Sequence, residues 1–230
     1  MLLRRMIEHV KAQNWTAVAL DFVIVVVGVF IGIQVSNWNA ARADKLREDV
    51  IIERLHADYE ALSRDVALGI EFLESVNEKL DDFKTMIVNY PQGADIERMR
   101  EFYDTAFNLP PIIGHSDTYE QLVASGDMAL ITNDQLRTAI VAHANLTDTL
   151  RHRDQAVREW SRPYLMPVVR LSALIEAMPP DEAFSNAGTR ADLIVATDMY
   201  ERIYMAQLAS HKEHRESFSE LMEMLGTELE

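Results

Sequence analysis

The chain has 230 residues, no cysteine and a formal net charge of −15 at pH 7. The absence of cysteine excludes disulfides, thiolate metal sites and a cysteine nucleophile. Residues 1–38 carry three basic and two acidic side chains, so the net negative charge lies entirely in residues 39–230. A domain this acidic lacks the positive surface that binds nucleic acid, and we expect no nucleic-acid partner.

Residues 1–15 predict a short arm that precedes a membrane anchor. Apolar residues recur there at helical spacing, with Arg4, Arg5 and Lys11 between them. A basic amphipathic helix of this kind lies in the plane of a membrane surface. We therefore expect the arm to lie on the inner face of the membrane.

The next segment, residues 16–38, predicts a single membrane-spanning helix. Its centre, residues 22–33, is an unbroken apolar run, and the whole segment would extend roughly 35 Å as a helix, enough for a hydrocarbon core of about 30 Å. Trp15 and Trp38 stand at its two ends, where indole rings act as interfacial anchors. The alternative is a cleaved signal peptide, because residues 41–43 have the small-x-small form. The polar residues before that site favour an uncleaved anchor.

Three small residues share one face of this predicted span. Gly28 and Gly32 form a GxxxG pair, and Ser36 extends the spacing by four residues. Small residues at this spacing let two helix backbones approach closely in lipid, which favours a homodimer through the membrane helix. The alternative is that glycine is simply frequent in membrane helices.

The orientation of the anchor rests on the short N-terminal arm. Three basic residues precede the span and four follow it within about 20 residues, so the count of basic residues does not decide. A short arm favours an N-terminus that stays inside, because a long C-terminal domain is able to translocate despite its charge. We expect a single-pass protein of the bacterial inner membrane, with its C-terminal domain on the outer, periplasmic side.

Residues 40–90 predict one long helix that packs in coiled-coil fashion. With Ile52 as position a of a heptad, eleven of the twelve a and d positions up to Tyr90 are apolar or aromatic. No proline interrupts this stretch, and such a seam is typical of a packed helix. Gly69 is the one exception in the seam.

The remaining chain predicts two short helices and two more long ones. Capping boxes of Asp117 with Glu120 and of Thr132 with Gln135 mark two helix starts, and Gly126 suits a helix C-terminus. We expect residues 181–188 to form a polar turn. The predicted helices cover residues 95–108, 117–125, 133–178 and 190–228, with kinks at Pro163 and Pro167. The expected fold is all-α, an elongated antiparallel bundle of three long and two short helices, the short ones capping the end farthest from the membrane.

One set of polar residues falls on core-like positions of the predicted bundle. Asp154, His211 and His214 come level with Gly69 when the helices are folded together. Two imidazoles and a carboxylate are suitable ligands for a divalent metal or a small molecule. The alternatives are a polar core layer that fixes the register, with Asp154 paired to histidine, or histidines on the surface. His-x-x-His alone is a weak signal, which favours these alternatives, and we expect no cofactor.

The sequence lacks the usual enzyme signatures. It contains no GxGxxG, P-loop, HExxH or GxSxG motif. A di-iron bundle needs two Glu-x-x-His pairs, and the chain has one, at Glu53 and His56. We therefore predict no catalytic residues and no enzymatic activity.

Two stretches resemble a family of uncharacterised bacterial single-span membrane proteins. Residues 25–39 (VVVGVFIGIQVSNWN) are similar to the family's N-terminal anchor, and residues 118–143 contain a similar TYxxLxxSGxxxLIxNxxLR pattern. The resemblance implies a bacterial cytoplasmic-membrane protein whose domain has no known function. It implies no catalytic residues.

The sequence therefore divides into an arm (1–15), an anchor (16–38) and an acidic helical domain (39–230). The first functional hypothesis is a non-enzymatic, membrane-anchored scaffold or partner-binding module. Its expected partners are the lipid bilayer, a second copy of the chain and an unidentified membrane or envelope protein. The alternative is a sensor-like bundle that binds a ligand or metal and acts through another membrane protein.

Overall fold

Helices make up most of the described part of the chain. The computed structural model describes residues 15–92, 95, 97–98, 109–185 and 187–229. Its helices are α1 (Trp15–Asn89), α2 (Asp117–Ser125), a 3₁₀ helix (Asp127–Leu130), α3 (Asp134–Ala177), α4 (Pro180–Ser185) and α5 (Ala187–Leu229). No strand occurs in these residues, so the all-α prediction is confirmed. The predicted arm (residues 1–14) and most of the predicted helix 95–108 lie outside the described ranges.

The chain divides into two compact units, Met1–Val50 and Ile51–Glu230. The first unit contains the apolar part of α1, where an 18-residue window has a mean hydropathy of 2.3 and none of it is buried. By length and composition this one helix is able to cross a membrane, a criterion that a signal sequence near the N-terminus also meets. The predicted boundary at 38/39 precedes the observed division by twelve residues.

The second unit is organised around α5, which packs against both other long helices. From residue 51 onward α1 runs antiparallel to α5, because Tyr59 contacts Phe218 and Glu74 pairs with Lys212. The helix α3 also runs antiparallel to α5, since its first turn meets the last turn of α5 and Asp154 meets Gln207. This part of α1 and α3 therefore run in the same direction.

Two groups of buried apolar side chains hold this unit together. One joins the C-terminal part of α1 to α4 and the first half of α5. The other joins residues 52–70 of α1 to α2, to the start of α3 and to the end of α5. Their largest fully buried members include Tyr59, Leu73, Leu80, Phe83, Ile87, Phe184, Leu136, Phe218 and Tyr204. Among the described side chains, those of α1 and α5 contribute to both groups, so these two helices unite them.

The short helix α2 packs beside the start of this unit, not at the far end that the sequence predicted. The carboxylate of Asp58 accepts hydrogen bonds from Ser116 Oγ (2.9 Å) and from the backbone N–H of Thr118 (3.0 Å). The extended segment 109–116 runs along α3 toward α2. Arg158 of α3 donates to the carbonyl of Pro110, and Asp148 of α3 pairs with His115. Burial alone would raise the pKa of Asp58, but these hydrogen bonds outweigh it and lower the pKa.

Several local predictions need correction. The N-cap of α2 is Ser116, whose Oγ accepts the N–H of Tyr119, so the predicted Asp117–Glu120 box lies one residue too late. The start of α3 is capped by Asn133, whose Oδ1 accepts the N–H groups of Gln135 and Leu136, one residue after the predicted Thr132. Residues 180–185 form a helix where a turn was predicted. The left-handed Gly126 that ends α2 (φ 79°) was predicted correctly.

Candidate functional site

A layer of histidines lies between α3 and α5, in the middle of the second unit. The rings of His143 and His214 are stacked, with centroids 5.2 Å apart and planes 26° apart. His143 Nδ1 is 2.8 Å from Ser217 Oγ, and His214 Nε2 is 3.0 Å from Thr147 Oγ1. Both side chains are buried, with 4% and 3% of their residue surface exposed. Two helices thus meet through paired polar side chains inside the core.

Helical spacing explains why these side chains face each other. His143 and Thr147 are four residues apart on α3, and His214 and Phe218 are four residues apart on α5, so each pair lies on one helix face. The Thr147 hydroxyl donates to the carbonyl of His143, which leaves its oxygen to accept from His214 Nε2. This arrangement fixes the neutral His214 with its proton on Nε2.

Aromatic rings enclose the histidine pair. The Phe218 ring lies 4.4 Å from the His143 ring and 4.6 Å from the His214 ring, measured between centroids. Tyr59 approaches His143 edge-on at 5.2 Å. Burial, followed by an electrostatic interaction with His115, lowers the pKa of His143 to about 4. Burial, followed by electrostatic interactions with His143, His211 and His115, lowers the pKa of His214 to about 3. Both rings are therefore neutral at pH 7.

The predicted site residue His211 packs against the backbone of α1 at Gly69. A Cβ atom added at Gly69 would lie 2.7 Å from His211 Cδ2 and 2.8 Å from Nε2, closer than real contacts allow. His211 Nδ1 lies 3.0 Å from the carbonyl oxygen of Gln207, so this nitrogen carries the proton and donates. Nε2 is then left as an acceptor, and it has no hydrogen-bond partner among the described residues. Gly69, the one exception in the apolar heptad seam, thus leaves space for the imidazole of His211.

The predicted site residue Asp154 pairs with Arg158 and Gln207. Arg158 Nε lies 2.8 Å from Asp154 Oδ2, and Gln207 Nε2 donates to Asp154 Oδ1. No direct hydrogen bond joins Asp154 to a histidine in the described residues, although its charge raises the pKa of His211 against the larger effect of burial, which lowers it. The carboxylate is therefore already neutralised by a guanidinium.

Asp154, His211 and His214 line one small cavity. The cavity also borders on Ile112, Ile113 and Gln207, and its volume is about 30 Å³. A space of that size holds roughly one water molecule, so an organic ligand does not fit without movement of the side chains. Within the described ranges, no three histidine or acidic side chains are grouped so as to hold a metal ion. The stacked partner of His214 is His143, which was not among the predicted site residues.

The predicted membrane-helix residues lie on the uncovered part of α1. A Cβ atom at Gly28 or Gly32 would meet nothing within 4 Å, and Ser36 is exposed. Trp38 is 62% exposed, and Arg42 lies over its ring at 5.9 Å. Trp15 is the first residue of α1. The face that was predicted to pack against a second helix is thus free in the single chain.

One comparison with known proteins gives a match. A family model described as a family of unknown function (DUF6090) matches residues 21–153, which is more than half of the chain. Neither a curated protein nor a solved structure matches. The matched residues include the apolar part of α1, all of α2 and the His143 half of the histidine layer, whereas α5 lies beyond them.

Proposed function

Because the chain belongs to a family of unknown function (DUF6090), its role must be inferred from its own residues, and we propose that it is a non-enzymatic, membrane-anchored helical scaffold or partner-binding module. The observation that carries this proposal is the uncovered apolar surface of α1. From Leu20 to Val35 the large apolar side chains are 48–69% exposed. Exposure of so continuous an apolar surface to water is energetically unfavourable, whereas the hydrocarbon core of a bilayer covers it without cost.

The continuity of α1 supports an anchor that stays attached. The helix passes without a break from Trp15 to Asn89, through the small-x-small site at 41–43. Signal peptidase sites require an extended backbone, and this site is helical. Beyond the anchor, the acidic unit would face outward as an elongated helical bundle, in a bacterial inner membrane, and present its helices to an envelope partner.

The topology of the chain is the first test of this proposal. Alkaline phosphatase fused after Glu230 is expected to be active in bacterial cells, and green fluorescent protein fused at the same place is expected to be dark, because only the phosphatase folds outside the cytoplasm. The matched control lacks residues 16–38 and should invert both readouts. Fluorescence with silent phosphatase in the full chain would place the acidic unit inside and refute the outward orientation.

We further propose that two copies associate through Gly28, Gly32 and Ser36. Open space at both glycines allows a second helix backbone to approach closely. Replacing Gly28 and Gly32 by isoleucine is expected to weaken the dimer at least about tenfold, a loss of about 1.4 kcal/mol, when energy transfer between labelled chains is measured in lipid vesicles. The control, Val26→Ile with Phe30→Ile, alters the opposite face and should leave the dimer intact. Equal effects of the two variants would contradict the glycine interface.

The alternative function is a sensor that acts through another membrane protein. The cavity at Asp154, His211 and His214 supports it, since Gln207 Oε1 and His211 Nε2 there lack hydrogen-bond partners among the described residues. The small volume argues against an organic ligand. A ligand that raises the melting temperature of the full chain in detergent would favour the sensor over the scaffold.

A further inference from the structure

The histidine layer contains more titratable groups than the stacked pair of His143 and His214. The electrostatic neighbours of His214 are His143, His211 and His115. These four histidines come from three parts of the chain, the segment before α2, α3 and α5. Burial and these histidine neighbours lower the pKa of His143 and of His214, so a proton added to one ring of the stack makes a proton on the other less favourable.

Within the described ranges, the acidic groups of the elements packed against the His143–His214 pair are exposed or already have other partners. On α3, Asp148 pairs with His115 (2.9 Å) and Asp154 with Arg158 (2.8 Å). On α5, Glu213 pairs with Arg153 (3.0 Å), and Glu216 is exposed. On α1, the Asp58 carboxylate is held by Ser116 and Thr118.

The remaining neighbours of the pair are neutral. Tyr59 from α1 faces His143 with its ring edge, and burial keeps its phenol protonated by raising its pKa. Phe218 and the Ser217 hydroxyl complete the enclosure from α5. A proton added to the stack therefore creates an uncompensated charge in an apolar enclosure, which costs far more than the same charge in water.

We infer that the His143–His214 stack is an acid-sensitive latch that holds α3 against α5 at neutral pH and releases them in acid. When the stack takes up a proton, water that enters between the helices solvates the charge. This entry of water separates the helices locally. The species that binds to the latch is the proton, which is small enough to enter a cavity that holds one water molecule. All its residues lie in the unit Ile51–Glu230, so the latch does not depend on the proposed anchor.

The sign of the pH dependence follows from the lowered pKa values. The unfolded chain binds protons at these histidines near pH 6.5, whereas the folded chain resists them until about pH 4 and pH 3. Stability is therefore complete above pH 6.5 and falls as the pH drops below it. At pH 5.5 each histidine raises the unfolding constant about tenfold, so the pair raises it about 100-fold, equal to about 2.7 kcal/mol. Asp58 does not interfere, because carboxylates titrate below this window.

The first measurement compares the stability of the full chain in mild detergent at pH 7.5 and pH 5.5. Denaturant unfolding followed by circular dichroism should show the 100-fold change in the unfolding constant. His143→Gln with His214→Gln should remove most of it, whereas His152→Gln, at an exposed position on α3, should not. Equal stability of the unmodified chain at the two pH values, or an unchanged pH dependence in the double variant, would overturn the latch.

A second measurement keeps the native histidines and therefore does not depend on the folding of that variant. Because the chain has no cysteine, spin labels attach only where cysteines are introduced. Labels at Asn145→Cys and Glu216→Cys, both exposed beside the layer, should move apart as the pH is lowered from 7.5 to about 4, where His143 takes up a proton in the folded chain. Labels at Gln135→Cys and Thr227→Cys, near the helix ends, should keep their distance. No change in the first pair, or equal broadening in both, would overturn the inference.

Discussion

Replacing Phe218 by alanine is expected to lower the free energy of unfolding by about 3–5 kcal/mol, the range for large aromatic side chains removed from a core. Phe218 is fully buried, and its ring contacts Tyr59, His143 and His214. Its loss leaves a cavity at the point where α1, α3 and α5 meet. Denaturant unfolding of the full chain in detergent at pH 7.5 measures the change.

The control for this variant is Trp160→Ala on α3. Trp160 is the larger side chain, but it is 54% exposed, so its removal should cost under about 1 kcal/mol. A loss for Phe218→Ala no greater than that for Trp160→Ala would mean that the three helices do not share a packed core at this level.

The second large effect is expected at Gly69. Alanine there would force the His211 ring off the α1 backbone, and overpacking of this kind costs about 1–3 kcal/mol. Alanine also improves helix propensity by up to about 1 kcal/mol, which must be separated from the steric effect. Gly226→Ala provides that separation, because Gly226 lies inside α5 and an added Cβ meets nothing within 4 Å.

We therefore expect Gly226→Ala to raise the stability and Gly69→Ala to fall about 1–3 kcal/mol below it. His211→Ala in the Gly69→Ala background should recover most of the difference, since the two side chains then no longer collide. A Gly69→Ala protein as stable as Gly226→Ala would show that the ring moves aside freely.

The features that depend on local sequence were predicted well. The helical fold, the range of α2 and the left-handed Gly126 follow from apolar periodicity and from the conformations that glycine allows, both of which are local. The relation between Gly69 and His211 was also predicted, because the one gap in an apolar seam must face something that fills it. The membrane insertion and dimer of residues 16–38 remain predictions.

The features that depend on distant partners were not predicted. The direction in which the chain returns after α1 is set by Asp58, which binds the start of α2 some 60 residues later, and no periodicity encodes such a contact. Asp154 lies beside His211 and His214 at the cavity, but the alternative that paired it with histidine missed its hydrogen-bond partners, Arg158 and Gln207. The stack of His143 on His214 depends on the relative rotation of two helices, which the apolar pattern fixes only to within a residue or two.

The position of α5 after the other helices in the chain has a consequence for the order of assembly during synthesis. Both buried clusters include side chains of α5, so they are completed only when its 43 residues have been made. At about 5–20 residues per second, roughly 10–30 s pass between the synthesis of Ile52 and the completion of α5. During that time the incomplete clusters expose apolar surface, which makes the growing chain prone to non-native contacts.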